Sequence, residues 1–312
     1  MVVCTHNRST YLRQACEAIL AVDYPSDRFE LLVVDNASTD DTPQVAAQVA
    51  RQRPDAVRVV NAPVLGLSSA RNTGVKHARG EVIVFVDDDA FPGPGWLRAL
   101  AGALSEDGVL VAGGPVEPIF EGELPSWFSE RFLAYLSAWE IGPEVRRLTY
   151  NEYPRGNNIG FRREVFERFG TFSTHLGRKG RSLLSCEETE MCLRVERGGG
   201  TILYVPDARI RHITPTDRLT PEWLARRFSA QARSEAIIEW RHGGFKGLRQ
   251  GWLRWKEFAK HAELYPVGAF EAIYLQCMQR ALRGYSRGSL TAALTVPRYR
   301  APRGTPKWLP WK

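Results

Sequence analysis

The sequence predicts an α/β fold, a mostly parallel sheet covered by helices, with a helical extension at its C-terminal end. Three observations carry this expectation. Short apolar runs of strand length alternate with helix-patterned segments through the first third of the chain. Two of those runs end in acid, at Asp35 and at Asp87-Asp88-Asp89, the strand ends where open α/β sheets bind ligands. Beyond residue 215 the alternation stops and the pattern becomes helical, rich in Trp and Arg. With 44% hydrophobic and 25% charged residues, the 312-residue chain has the composition of a globular protein with a sizeable core, not a disordered or fibrous one.

Taken in order, Val2-Val3-Cys4 reads as a short strand, and residues 11–21 have the helical spacing of Leu12, Ala15, Ile19 and Leu20. Residues 29–34 form a second apolar run. Asp40-Asp41-Thr42-Pro43 then marks a helix start with proline in the first turn, and the helix runs to about Arg53. Residues 57–61 are a third strand, 68–77 a helix, and 81–86 a fourth strand ending at Asp87. Residues 115–153 are less regular and aromatic, including Trp127, Phe128, Phe132, Tyr135 and Trp139. Their spacing fits packing into a core as well as contact with sugar faces. Regularity returns at Asn158-Ile159-Gly160-Phe161, followed by helices over 163–169 and 187–197 and strands over 201–205 and 208–212. After Thr220-Pro221-Glu222-Trp223 the chain is helical, and the proline-punctuated last fifteen residues read as irregular.

The net charge of +7 is unevenly placed. From residue 245 onward there are 13 Lys/Arg against 3 Asp/Glu, a net +10 that leaves −3 for the first 244 residues. A nucleic-acid binder would spread basic charge over its recognition face, so no nucleic acid is expected. Five scattered cysteines contain no CxxC pair and read as reduced thiols. No run approaches the about 18 apolar residues of a membrane helix, and no basic-then-apolar leader opens the chain. A cytoplasmic location follows, with room for a peripheral position on the inner face of the plasma membrane.

Chemistry concentrates at the two acidic strand ends. Three adjacent carboxylates repel one another unless a cation sits among them. Hard divalent ions such as Mg²⁺ or Mn²⁺ prefer oxygen ligands and are often held by carboxylates together with substrate phosphates. A solvated acidic turn is the plainer alternative, though it fits less well after a fully apolar strand. Asp35 could accept hydrogen bonds from a ribose or base, as in dinucleotide folds. A nicotinamide dehydrogenase would need G-x-G-x-x-G after the first strand. The chain has Cys4-Thr5-His6-Asn7-Arg8-Ser9 there, without a glycine.

These residues resemble glycosyltransferase family 2, whose members are inverting, nucleotide-sugar-dependent enzymes with the GT-A fold, a Rossmann-like arrangement. Seven segments match in the family's order: Cys4-Thr5-His6-Asn7-Arg8; Val34-Asp35-Asn36-Ala37-Ser38-Thr39-Asp40; Gly66-Leu67-Ser68-Ser69-Ala70-Arg71-Asn72-Thr73-Gly74; Phe85-Val86-Asp87-Asp88-Asp89; Gly156-Asn157-Asn158; Cys186-Glu187-Glu188-Thr189-Glu190; and His212. The resemblance covers about residues 1–215. It implies a catalytic domain there, with a nucleotide-binding half over 1–114 and an acceptor half over 115–215, and leaves 216–312 as a basic extension.

The resemblance also implies roles. Asp35 would hold the base, with Thr5 and Arg8 lining its pocket and Arg71 counted among the donor-binding residues. Asp87 and Asp88 would lie near ribose and diphosphate, and Gly156-Asn157 under the donor sugar. Asp89 would be the direct ligand of Mg²⁺ or Mn²⁺, with Asp87 nearby. His212 would either complete that site or serve as a buried structural histidine. Inverting transfer needs a carboxylate base. The family usually has Glu-Asp at this helix head, where the chain has Glu187-Glu188. Position assigns Glu188 as base and Glu187 as the second choice, against ordinary first-turn charge.

The expected activity is transfer of one sugar from a nucleoside-diphosphate donor, UDP- in the first instance, to a glycan or lipid-linked acceptor in cell-surface polysaccharide or glycolipid synthesis. A sugar nucleotidyltransferase and a non-catalytic nucleotide- or glycan-binding relative are the alternatives. Processive synthases of the family carry membrane helices and Gln-x-x-Arg-Trp. The spacing of Gln250, Arg254 and Trp255 misses that motif by one residue. The basic tail, with Trp223, Trp240, Trp252, Trp255, Trp308 and Trp311, suits either an anionic membrane surface or packing on the catalytic core.

Overall fold

The structure, a computed structural model, describes residues 1–263 and 269–299. Its first part follows the predicted alternation: β1 (Val2–Thr5), α1 (Ser9–Leu20), β2 (Leu31–Asp35), α2 (Thr42–Gln52), β3 (Val57–Asn61), α3 (Leu67–His77) and β4 (Val82–Val86). Then come β5 (Ala90–Pro92), α4 (Trp96–Ser105), β6 (Val109–Gly113), β7 (Val116–Phe120), β8 (Arg146–Arg147), β9 (Asn158–Arg162), α5 (Glu164–Phe169), α6 (Glu187–Arg197), β10 (Thr201–Tyr204) and β11 (Ile210–Thr214). Two long helices follow, α7 (Pro221–Glu263), interrupted by non-helical backbone at Gly244, and α8 (Ala269–Thr295).

Eight strands form the main sheet in the order β3-β2-β1-β4-β9-β6-β10-β8. Strands β3, β2, β1 and β4 run parallel. β9 lies antiparallel between β4 and β6, so the sheet is mixed beyond β4 rather than parallel throughout. Alternation of side chains across the pleat divides its core in two. Val2, Leu32, Val34 and Phe85 face one cluster, while Val3, Leu31, Val33, Val84 and Val86 face the other.

A second sheet of three strands, β5-β11-β7, has β11 at its centre. The register of β11 against β5 sets His212 opposite Ala90, and the Ile213 N–H donates to the Asp89 carbonyl at 3.0 Å. That pairing brings a residue from late in the chain to the acidic triplet.

Several segments differ from expectation. The helix α4 and strand β6 come in addition to the predicted elements, and Leu97, Leu100 and Leu104 of α4 carry helical spacing and are buried. The strand expected over 208–212 is shifted to Ile210–Thr214. The aromatic segment, read as less regular, holds a 3-10 helix, Glu130–Leu136. Its Phe132 packs with Leu224 and Phe228 of α7 and Met278 of α8. Core packing therefore accounts for that ring. In the tail, Trp255 is buried and Trp223 and Trp240 are partly buried, whereas Trp252 is 40% exposed. Trp308, Trp311 and residues 300–312 lie outside the described residues. No helix among the described residues is long and apolar enough to cross a membrane.

Asn158, at the start of β9, joins these layers. Fully buried, its Nδ2 donates to the carbonyls of Pro115 (3.0 Å) and Ala208 (2.7 Å), and its Oδ1 accepts from Trp96 Nε1 at 2.8 Å. An alanine there would orphan one buried donor and remove the partner of two carbonyls, each costing on the order of 1–3 kcal/mol. Asn158→Ala should lower unfolding free energy by roughly 3 kcal/mol or more in urea titration; an unchanged midpoint would show that these bonds carry no net stability.

Candidate active site

The carboxyl ends of β1, β2 and β4 deliver Thr5, Asp35 and the acidic triplet to one edge, and the loops that follow lock each other in place. Thr39 N–H donates to Asn7 Oδ1 at 2.8 Å, Asn7 N–H to Ser38 Oγ at 3.1 Å, and Arg8 N–H to Thr42 Oγ1 at 2.8 Å. Asn7 and Ala37 both adopt positive φ, at 53° and 56°, a conformation that persists where surrounding contacts enforce it. Buried Asn36 donates to the Ala62 and Val64 carbonyls and accepts the Gly66 N–H at 2.7 Å. Gly66 itself has φ 137°, which only glycine adopts readily, and it turns the chain into α3.

These loops enclose a pocket of about 260 Å³ lined by Thr5, His6, Arg8, Asn36, Gly66, the three aspartates, Arg178, Gly180, His212 and Arg218. Ligand atoms of Asp87, Asp89 and His212 all lie within 4.8 Å of one another. His212 Nε2 is 3.1 Å from Asp89 Oδ1, while its buried Nδ1 has no hydrogen-bond partner. Burial disfavours the charge on Asp89, but His212, Arg8 and Arg218 outweigh it and hold the carboxyl below the ordinary range. Burial, then the charge of Asp89, pushes Asp88 the other way. Two carboxylates and an imidazole with an unsatisfied nitrogen are a donor set that fits a divalent cation.

Around the acids stand three cations. Arg8 Nη2 lies 3.6 Å and Arg218 Nη2 3.9 Å from Asp89 Oδ2. Burial, and then the charge of Arg178, lower Arg218 to about 10, which leaves it a cation at neutral pH. Like charges crowded into a concave site favour an anionic ligand.

Arg71, on α3, is the buried link to the rest of the site. Its Nη1 donates to Glu187 Oε1 at 2.6 Å, its Nη2 donates to the Gly156 carbonyl at 2.7 Å, and its Nη2 lies 3.7 Å from Asp87 Oδ1. The guanidinium rests against Phe85 and Phe172, 5.5 and 5.8 Å from their ring centres. A Cβ on residue 156 would come within 2.8 Å of both Nη atoms, so the glycine is what admits Arg71.

Glu187 and Glu188 separate at the head of α6. Glu187 is buried against Arg71; burial first and the charge of Glu188 second push its carboxyl upward, with Arg71 opposing. Glu188 is half-buried and faces a different pocket, of about 240 Å³, with Tyr135, Tyr150, Asn151, Tyr153, Arg155, Arg227, Gln231 and Glu235. Arg227 is 9% exposed, and its Nε and Nη1 are buried without a partner.

Of the sequence-identified residues, Thr5, Arg8, Asp87, Asp88, Asp89 and His212 share the first pocket. Asp35 is buried beside it, paired in register with Thr5, and its Oδ1 accepts from Ser38 N–H at 3.3 Å. Arg71, Gly156 and Asn157 are not among the pocket's lining residues, and both amide atoms of Asn157 are buried without a partner. Sequence reasoning missed Arg178, Arg218 and Arg227. Arg178 and Arg218 lie in segments without a motif and Arg227 is one of many arginines on the predicted helical tail, and only the fold brings them in.

A profile described as glycosyl transferase family 2 matches residues 1–170. The glucosyl-dolichyl phosphate glucuronosyltransferase of Haloferax volcanii is 30% identical over 248 residues, 77% of this chain and 76% of its own. The succinoglycan biosynthesis protein ExoM of Rhizobium meliloti is 30% identical over 258 residues, 80% of this chain and 77% of its own. Among solved structures, a mannosyltransferase from Pyrobaculum calidifontis in complex with GDP-Man and Mn²⁺ superposes with a TM-score of 0.56 at 22% identity, over 94% of this chain and 74% of that one. GalNAc-T7 with UDP, GalNAc and Mn²⁺ gives 0.59 at 14% identity, over 95% and 56%. At those identities the likeness shows a shared GT-A fold.

The donor set can be tested apart from activity. Electron paramagnetic resonance of free Mn²⁺ should show uptake by the protein, weakened by more than about tenfold in Asp89→Ala and in His212→Ala. Uptake by both variants equal to the parent's would remove these residues as ligands.

Proposed function

The chain belongs to glycosyl transferase family 2 and is a glycosyltransferase; we propose that it transfers one sugar from a nucleoside-diphosphate donor with inversion, in polysaccharide or glycolipid synthesis. The observation that carries this reading is the pocket in which Asp87, Asp89 and His212 converge beside Arg8, Arg178 and Arg218, tied through Arg71 to Glu187, the residue before a carboxylate in its own pocket. Such a site suits a diphosphate on one side and a hydroxyl on the other.

In this reading Thr5, Arg8 and Asp35 receive the nucleotide, with UDP the first candidate, and Asn157 offers its free amide towards the donor sugar. Asp89, Asp87 and His212 would hold Mg²⁺ or Mn²⁺, which when bound supplies Lewis-acid neutralisation of diphosphate charge. Arg8, Arg178 and Arg218 add fixed positive charge where the leaving diphosphate develops its own. The acceptor lies against Tyr135, Tyr150 and Tyr153, and Glu188 takes the proton of its attacking hydroxyl. A bond forms from that oxygen to the anomeric carbon as the bond to the diphosphate oxygen breaks on the opposite face. Glu187, occupied by Arg71, is a positioning residue: it fixes the head of α6 and thereby the direction of Glu188.

Replacing Glu188 by Gln keeps its volume and removes the base. Release of nucleoside diphosphate in the presence of acceptor-bearing membrane extract should fall about 10²–10⁴-fold, with nucleotide binding by calorimetry unchanged. Turnover at the parent rate would take Glu188 out of the role.

A further inference from the structure

A groove of about 430 Å³ lies away from both pockets, between the 181–183 segment, α7 and α8. Six arginines line it: Arg181, Arg226, Arg233, Arg280, Arg283 and Arg287. All six are exposed, and among the described residues none has a carboxylate within ion-pair distance and no acid lines the groove. Elsewhere in the chain arginines find partners readily, as at Arg71, Arg194, Arg209 and Arg254.

The arrangement follows from the packing of the helices. A Cβ at Gly284 would come within 2.5 Å of the Ser229 carbonyl, and one at Gly288 within 2.9 Å of Arg233 Cα. Such small residues draw α7 and α8 together along a seam. The arginines at 226 and 233 on one helix, and at 280 and 287 on the other, are each seven residues apart and so project along the same edge. Unpaired guanidinium groups held this close are repulsive unless an anion joins them.

The neighbourhood indicates which anion. Arg283 and Arg287 also line an adjoining hollow with Trp252, Lys256 and Leu282. Continuing the stripe of α8 at three- and four-residue steps, Leu290 is 65% exposed and Leu294 76%. Basic residues beside exposed apolar ones suit an interface that is polar on one side and hydrocarbon on the other. A polynucleotide would want aromatic stacking platforms, and the groove lining has none. A second copy of this chain, related by a twofold axis, would bring the same arginines face to face.

We propose that this groove binds the phosphate head groups of an anionic lipid surface, with Trp252, Leu290 and Leu294 entering its apolar boundary. The segment joining groove and donor pocket is short: Arg178 and Gly180 line the pocket, and Arg181 follows directly in the groove. Docking at the groove therefore holds the pocket close to the lipid surface.

Full-length protein is to be sedimented with vesicles of phosphatidylcholine alone and of phosphatidylcholine mixed with phosphatidylglycerol. The parent should bind the mixed vesicles, less as salt rises, and ignore the neutral ones. Reversing three charges (Arg280→Glu with Arg283→Glu and Arg287→Glu) should weaken that binding at least about 100-fold. Trp252→Ala should weaken it to a smaller degree. An unchanged thermal midpoint of the charge-reversed protein, and an unchanged thermal response to nucleotide with Mn²⁺, would locate the effect in the groove and not in the fold or donor site. Equal vesicle binding by parent and charge-reversed protein would overturn the proposal. So would neglect of anionic vesicles alongside groove-dependent binding of inorganic pyrophosphate, a soluble phosphate ligand, or of single-stranded RNA.

Discussion

The site depends on one buried cation. Arg71 is placed by α3 between two acids, half-exposed Asp87 just after β4 and buried Glu187 at the head of α6. Taking a guanidinium out of water costs several kcal/mol unless its charge and donors are met. Here Glu187 meets the charge, the Gly156 carbonyl a further donor, and Phe85 and Phe172 the ring faces. Three distant stretches of chain are thereby fixed to one point. The separation of Glu187 from Glu188 follows, because the first is held inward and the second is left to face its own pocket.

Around this point the layers are joined by polar contacts more than by strand order. Asn158 ties β9 to Trp96 and to the segments at Pro115 and Ala208, and β11 brings His212 over the aspartates. The helices after residue 220 share this architecture. Ile237 and Ile238 of α7 join the cluster on one face of the main sheet, and Arg227, Gln231 and Glu235 form a wall of the Glu188 pocket. Helices that read in sequence as an appended tail thus contribute to the proposed acceptor side. Their other face, with its unpaired arginines, is turned to solvent.

The first half of the fold was legible because its strands are continuous apolar runs with helical periods between them, and its acids fall at strand ends. The motif segments were legible too, although many of their residues act on one another: Asn7 and Thr39 bind across loops, and Asn36 braces Gly66. Mixed strand direction was not legible, since β9 places Ile159 and Phe161 on one face and Asn158 and Gly160 on the other whichever way it runs. The 3-10 helix at Glu130–Leu136 carries the same aromatic spacing as an α-helix, and the sequence does not distinguish them. Arg178, Arg218 and Arg227 left no signal because an arginine in a loop or on a helix is ordinary until the fold encloses it.

The central claim is a nucleotide site completed by a cation at Asp87, Asp89 and His212, and thermal unfolding with UDP, GDP, TDP and CDP, each with and without Mn²⁺, tests it most directly. A ligand that binds only the folded state raises apparent stability by mass action. The midpoint should rise for one nucleotide base above the others, with Mn²⁺ present, and much less without it. Midpoints unmoved by every nucleotide, or moved equally with and without the metal, would contradict it.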